Sequence, residues 1–129
     1  MRIAISGLCI KKGCVLMVRK KKAWILPGGK PKGKETELGC LLREFGEELP
    51  MVTFGIHNFY RVIRGQTPHT RDILEARVWF GEVSGEILPG AEVNAAAWIN
   101  VKATKQAGIE FRSDLSEKIV ESLISDGYL

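Results

Sequence analysis

The stretch from Gly28 to Met51, GGKPKGKETELGCLLREFGEELPM, constrains this chain more than any other. It reads as a glycine-bearing loop, one amphipathic helix from about Thr36 to Leu49 with Thr36 as its cap, and a stop at Pro50. Residues three and four apart share a helix face, so Glu44, Glu47 and Glu48 project together. Leu38, Leu41, Leu42, Phe45 and Leu49 form the stripe expected to dock on a core. Gly39 and Gly46 each weaken the helix by about 0.5–1 kcal/mol relative to alanine, so packing and neighbouring charge must hold it. Three carboxylates this close repel one another. A hard divalent cation with oxygen ligands, Mg²⁺ or Mn²⁺, relieves that repulsion. The plainer reading is a solvated glutamate face on a good helix former.

The spacing around the helix separates the two readings. From Gly29, five residues lead to Glu35 and seven more to Arg43; Glu44, Phe45, Gly46, Glu47 and Glu48 follow. This resembles the signature box of the Nudix hydrolase family: glycine, five residues, glutamate, seven residues, then Arg-Glu-apolar-any-Glu-Glu-any-Gly-apolar. One fixed position departs, because Pro50 stands where the box has its last glycine, followed by the apolar Met51. Pro50 lies beyond the glutamates and changes only how the chain leaves the helix. A pattern that fixes so many positions across a loop and a helix is specific. The flanks agree: WILPGG precedes the box, and Glu92 stands six residues before Trp98.

The resemblance implies an α/β fold, a Nudix-type α/β/α sandwich with a mixed β-sheet and the box loop–helix–loop, here as one domain over residues 1–129. It implies Mg²⁺-dependent hydrolysis of a phosphoanhydride in a nucleoside diphosphate linked to another group. Glu44 and Glu48 would hold the principal ion, with Glu47 and the Gly28 carbonyl completing the site. Glu47 or Glu92 would serve as base, Arg43 would orient the glutamates, and Glu35 and Gly29 would support them. A nucleoside triphosphate, cleaved in the MutT manner, is the expected substrate. Nucleotide sugars, ADP-ribose, dinucleoside polyphosphates and capped RNA are alternatives. A silent nucleotide-sensing module is the competitor from another class, yet such a module would be expected to lose glutamates, and all four box glutamates are present with the arginine. Aromatics such as Trp24, Phe59, Tyr60 and Trp79 are candidates for stacking on the base. Family members are often dimers, so a homodimer is possible.

Composition narrows the class further. The chain has 129 residues, 45% of them hydrophobic, enough for one domain with a real core. No apolar run approaches the roughly 18–20 residues of a membrane span. The opening MRIAISGLCI imitates a signal peptide, but it runs into Lys11 and Lys12 without a small-residue cleavage site and reads as a strand. Cys9, Cys14 and Cys40 form no CxxC, which argues against disulfides or zinc and fits a reducing cytoplasm. Cys40 reads as a small buried side chain. Residues 1–34 hold ten lysines and arginines and no acid, which suits a polyanionic substrate. Nucleic acid is not the expected partner, since no binding motif accompanies the basic run.

Along the chain, Arg2–Ile10 and Cys14–Arg19 read as a hairpin turned by Lys11, Lys12 and Gly13. Ala23–Leu26 is a brief extended piece. Val52–Ile63 is a strand broken at Gly65, Gln66, Thr67 and Pro68. Ile73–Val83 is another, with Leu74, Ala76, Val78 and Phe80 on one face, and Ala95–Val101 is the last. His57 and His69 read as structural or rim residues. A closing helix starts from a capping-box-like Asp114–Glu117, buries Leu115, Ile119, Val120, Leu123 and Ile124, and stops at Gly127.

Overall fold

A computed structural model describes residues 2–67 and 72–129, so His69 and Pro68 lie outside the described residues. The chain runs β1 (Arg2–Leu8), β2 (Ile10–Lys11), β3 (Cys14–Lys20), β4 (Ala23–Ile25), β5 (Gly28–Gly29), α1 (Glu37–Glu48), β6 (Val52–Gln66), β7 (Ile73–Gly85), β8 (Ala95–Ile99), α2 (Val101–Gln106) and α3 (Asp114–Ser125). The first sheet has the order β5-β1-β7-β6 and is mixed, with β1 parallel to β7 and the other pairs antiparallel. In the second sheet β3 pairs antiparallel with β2, β4 and β8.

The expected β1–β3 hairpin is therefore corrected. Only Ile10 and Lys11 turn back onto β3, opposite Val15 and Cys14, through Lys12 (φ 50°) and Gly13 (φ 76°). Two consecutive left-handed residues suit a tight hairpin. Arg2–Leu8 instead joins the other sheet beside β7. Cys9 is the joint between the sheets.

Strand β3 shows why the core has two halves. Successive strand residues point to opposite faces. Leu16 and Val18 pack with Ile5, Leu41, Phe45, Leu49 and Phe54 under α1. Val15 and Met17 pack with Leu8, Ala76, Val78, Ile119, Val120 and Leu123 under α3. The run VLMV is apolar throughout because both of its faces are buried. One helix thus covers each face, the expected α/β/α arrangement with a mixed sheet.

Several boundaries differ from the sequence reading. Strand β6 continues through Gly65 and Gln66, because Gly65 marks a close approach rather than a turn. A Cβ there would stand 3.0 Å from the Leu115 backbone of α3. The Gln66 N–H donates to Asp114 Oδ2 at 2.8 Å. Strand β8 ends at Ile99, and Asn100 caps the short α2 that the strand reading of Val101 missed. The cap of α3 is Ser113, one residue earlier than expected, accepting from the Ser116 N–H; Glu117 accepts from the Phe111 N–H instead.

The docking face of α1 is rotated from the predicted stripe. Cys40, Leu41, Phe45 and Glu48 are buried, whereas Leu38 and Leu42 are 42% and 54% exposed. Phe45 stacks on Phe54 with ring centroids 3.9 Å apart. Phe45→Ala should therefore lower unfolding free energy by about 3–5 kcal/mol, while Leu42→Ala should change it by no more than about 0.5 kcal/mol. Urea denaturation of both variants distinguishes this face from the predicted one.

Candidate active site

Two glycines bring the β4–β5 connection against α1. Gly28 sits at φ 148°, where a Cβ would collide with the Ile5 carbonyl oxygen of β1. At Gly29 a Cβ would occupy the space that the Glu44 carboxylate fills. Only hydrogens at these positions let the helix carboxylates lie on the strand backbone.

The loop after Gly29 is tied to α1 through Arg43. Its Nε and Nη2 donate to Glu35 Oε2 and Oε1 at 2.7 and 3.0 Å. Nη2 also reaches the Lys30 carbonyl at 3.1 Å, and Nη1 reaches Glu44 Oε1 at 2.8 Å and Glu47 Oε2 at 3.4 Å. The paired geometry with Glu35 is the fork arrangement that makes arginine–carboxylate contacts strong. Arg43, helped by the Lys32 N–H, holds the Glu35 carboxyl down at about 2. Arg43 is in turn pushed above its ordinary range by its hydrogen bond to Glu35.

Glu48 is the unusual carboxylate. It is 2% exposed and both of its oxygens are occupied. Lys20 Nζ lies 2.9 Å from Oε2, and the Gly28 N–H donates to Oε1 at 3.2 Å. Burial pushes its carboxyl up to about 7 against the pull of Lys20 and the Gly28 N–H, and Glu44 adds to the upward push.

The loop carrying Glu92 is fixed to the end of α1. The Gly90 and Ala91 N–H groups donate to the Glu48 and Glu47 carbonyls at 2.8 and 2.9 Å. They satisfy last-turn carbonyls that would otherwise lack partners. This cap explains how the helix ends at Pro50 without the box glycine. A Cβ at Gly90 would strike the Glu47 carbonyl oxygen. Asn94 holds the far side of the loop, accepting from Arg19 Nε at 2.6 Å and donating to the Lys21 carbonyl at 2.9 Å. Glu92 itself adopts φ 61°.

These elements enclose a cavity of about 620 Å³. Gly28, Gly29, Glu44, Glu47, Glu48 and Glu92 all line it, with Lys20, Lys30 and Lys32. Arg43 and Glu35 stand behind that wall. Its aliphatic part includes Ala4, Leu26, Leu74, Leu115 and Ile119, with Ser6 also on the wall. The stacking expectation fails, since Trp24, Phe59, Tyr60 and Trp79 do not line it. Phe59 and Trp79 pack edge to face on the α1 side, with Trp79 Nε1 donating to Glu37. The Tyr60 hydroxyl is shared by Ser122 and Asp126.

The Cys40 thiol is buried and pushed up to about 11 by desolvation, so it is no nucleophile. His57 is half-exposed beside Glu82, outside the cavity. Sequence reasoning missed Lys20, Ser6 and Asn94. Lys20 is one of four consecutive basic residues, and no pattern singles it out.

Among the described residues, no three His, Cys, Asp or Glu side chains stand ready around a common point for a metal ion. Arg43 and Lys20 already hold oxygens of Glu44 and Glu48. The donor set nevertheless fits a hard cation, because the cavity offers four carboxylates and no nitrogen or sulfur ligand. The Lys20 ammonium beside buried Glu48 marks where positive charge is required.

The sequence matches the NUDIX domain over residues 2–118, and the chain belongs to the Nudix hydrolase family, as a phosphoanhydride hydrolase. Members of this family generally use divalent metal ions and act on small nucleotides. No curated protein sequence matches the chain significantly. Among solved structures, it is similar to a MutT protein from Methanosarcina mazei Go1, at TM-score 0.81 and 21% identity over 99% of this chain and 96% of that one. It is also similar to an ADP-ribose pyrophosphatase from Streptococcus suis 89-1591, at TM-score 0.64 and 16% identity over 98% and 92%. A UDP-X diphosphatase matches at TM-score 0.77 and 14% identity, over 99% of this chain and 64% of that chain. At these identities the likeness speaks to the fold. No helix among the described residues is long and apolar enough to cross a membrane.

The Glu35–Arg43 pair sets an acid limb of stability. Its carboxyl is depressed from an ordinary 4.5 to about 2 in the folded protein. Its contribution is therefore complete above pH 4.5 and is lost as pH falls towards 2. Urea midpoints of wild type and Glu35→Gln should differ most at neutral pH and converge on acidification through that window.

Proposed function

We propose that this enzyme is a Mg²⁺-dependent pyrophosphohydrolase of nucleoside triphosphates, MutT-like, working with residues 1–129 as one cytoplasmic domain. The observation that carries this reading is one cavity lined by Glu44, Glu47, Glu48 and Glu92 together with Lys20, Lys30 and Lys32. A polyphosphate bridges such an arrangement, its charge shared between lysines and a cation on the carboxylates. When bound, Mg²⁺, or Mn²⁺ in its place, would supply charge neutralisation for the diphosphate and a more nucleophilic water.

The roles of the chain's own residues follow. Glu44 and Glu48 would hold the ion, with Glu47 and the Gly28 carbonyl completing the site. Arg43 orients Glu44 and Glu47 through Nη1, Glu35 anchors Arg43 through the fork, and Gly29 leaves room for Glu44. Either Glu47 or Glu92 takes the proton of the attacking water. Glu47 is tied to Arg43 at 3.4 Å, whereas Glu92 has no hydrogen bond or ion pair among the described residues, which favours Glu92 as the base.

Two of the solved neighbours are named for substrates in which a nucleoside diphosphate is linked to another group, the ADP-ribose pyrophosphatase and the UDP-X diphosphatase. The cavity is of a size that holds a nucleotide. Nucleotide sugars, ADP-ribose and dinucleoside polyphosphates are the second reading, since this wall accepts a nucleoside without dictating its partner. The complete set of box glutamates disfavours a silent module. A homodimer is a further expectation, and nucleic acid is not expected to bind.

Phosphate and pyrophosphate release should be measured across these substrates with Mg²⁺ or EDTA. Turnover should require Mg²⁺, collapse in Glu48→Gln, and fall by about 10²–10⁴-fold in Glu92→Gln. Full Mg²⁺-dependent turnover by Glu48→Gln would sink the ligand assignment. A larger loss in Glu47→Gln than in Glu92→Gln would move the base to Glu47.

A further inference from the structure

We propose that Lys20 is a built-in counter-cation, which neutralises Glu48 in the metal-free enzyme and must be displaced before a divalent ion can bind. This rests on the reading of Glu48 as a metal ligand and adds an internal competitor to it. Glu48 is 2% exposed, and its two oxygens are taken by Lys20 Nζ at 2.9 Å and the Gly28 N–H at 3.2 Å. The Gly28 amide belongs to strand β5, which is hydrogen-bonded to β1, so it is a fixed partner. A cation approaching Glu48 therefore meets the positive charge of Lys20 already 2.9 Å from Oε2, and the two cations repel across that oxygen.

Lys20 is built to yield. Its side chain is 28% exposed and already lines the cavity, so the ammonium has water to move into, whereas Glu48 has none. It is a point charge on a flexible four-carbon stem, unlike a planar fork locked by several acceptors. Arg43 supplies the contrast within the same site, because its guanidinium is held by Glu35, Glu44, Glu47 and the Lys30 carbonyl together. One cation is structural and the other exchangeable.

Burying Glu48 without a partner would be strongly unfavourable. Lys20 removes that penalty in the free enzyme and so lowers the apparent affinity for the divalent ion, as any populated competing state does. Displacement then leaves an ammonium group on the wall of the cavity that receives the polyphosphate. No change in the protonation of Lys20 is required.

Mn²⁺ binding without substrate, measured by calorimetry on the full chain, tests this directly. Lys20→Met should bind Mn²⁺ at least about tenfold more tightly than wild type. That gain should vanish when Glu48→Gln is added to Lys20→Met. A lysine that merely supports the site would give the opposite sign. Wild-type protein provides a second readout that does not depend on a variant folding. Acetylation of Lys20, followed by mass spectrometry, should rise severalfold on adding Mg²⁺ while the exposed Lys11 and Lys102 stay constant. Unchanged or weaker Mn²⁺ binding by Lys20→Met, with Glu48→Gln still impaired, overturns the proposal and leaves the ligand assignment standing. Unchanged Lys20 labelling at saturating Mg²⁺ overturns it too. Wild-type affinity in Glu48→Gln would remove both together.

Discussion

The site depends on one guanidinium. Arg43 joins the loop after Gly29 to α1 by contacting Glu35 and the Lys30 carbonyl on one side and Glu44 and Glu47 on the other. Without it, carboxylates one turn apart on a glycine-weakened helix would repel, and the loop would have little to hold it. A lysine could not replace it, because one ammonium cannot meet four acceptors spread around a planar fork. Loop geometry, carboxylate orientation and helix stability are consequences of the same contact.

The second determinant is the sharing of charge between burial and solvent. The carboxylates of one helix have three different environments. Glu47 is about half exposed, Glu44 is partly covered against Gly29, and Glu48 is sealed beneath the strand. The same residue type thereby acquires different chemistry from its position alone. The lysines, drawn from β3 and the loop, complete a cavity with opposite charges on its walls.

Much of this was legible in the sequence. The box places Glu35, Arg43, Glu44, Glu47 and Glu48 by spacing, and spacing on a helix is geometry. The burial of Glu48 was also readable, since it stands seven residues after Leu41 and three after Phe45, in the middle of the docking face. Residue type argues the other way at both positions, since a glutamate ordinarily faces solvent and a leucine the core, whereas Glu48 is buried and Leu42 exposed. Long-range pairing was not legible. Nothing local in Arg2–Leu8 states that its partner is a parallel strand beginning at Ile73 rather than its neighbour in sequence. Lys20 was hidden for a similar reason, because its partner is 28 residues away. The aromatic expectation failed since large rings here fill the surroundings of the sheets, leaving the cavity to smaller side chains.

The docking of Gly90 and Ala91 onto the end of α1 has a consequence for how this chain can vary. Surface loops ordinarily absorb insertions and deletions at little cost. This one is a measured span, fastened at one end by backbone hydrogen bonds to Glu47 and Glu48 and at the other by Asn94 to Arg19 and Lys21. Exposed side chains such as Leu88 are free to change, because the helix end is fastened by main-chain groups and the far end by Asn94. Its length is not, since one residue more or fewer between the anchors would carry Glu92 out of the cavity. Here the number of residues is under stricter constraint than their identity.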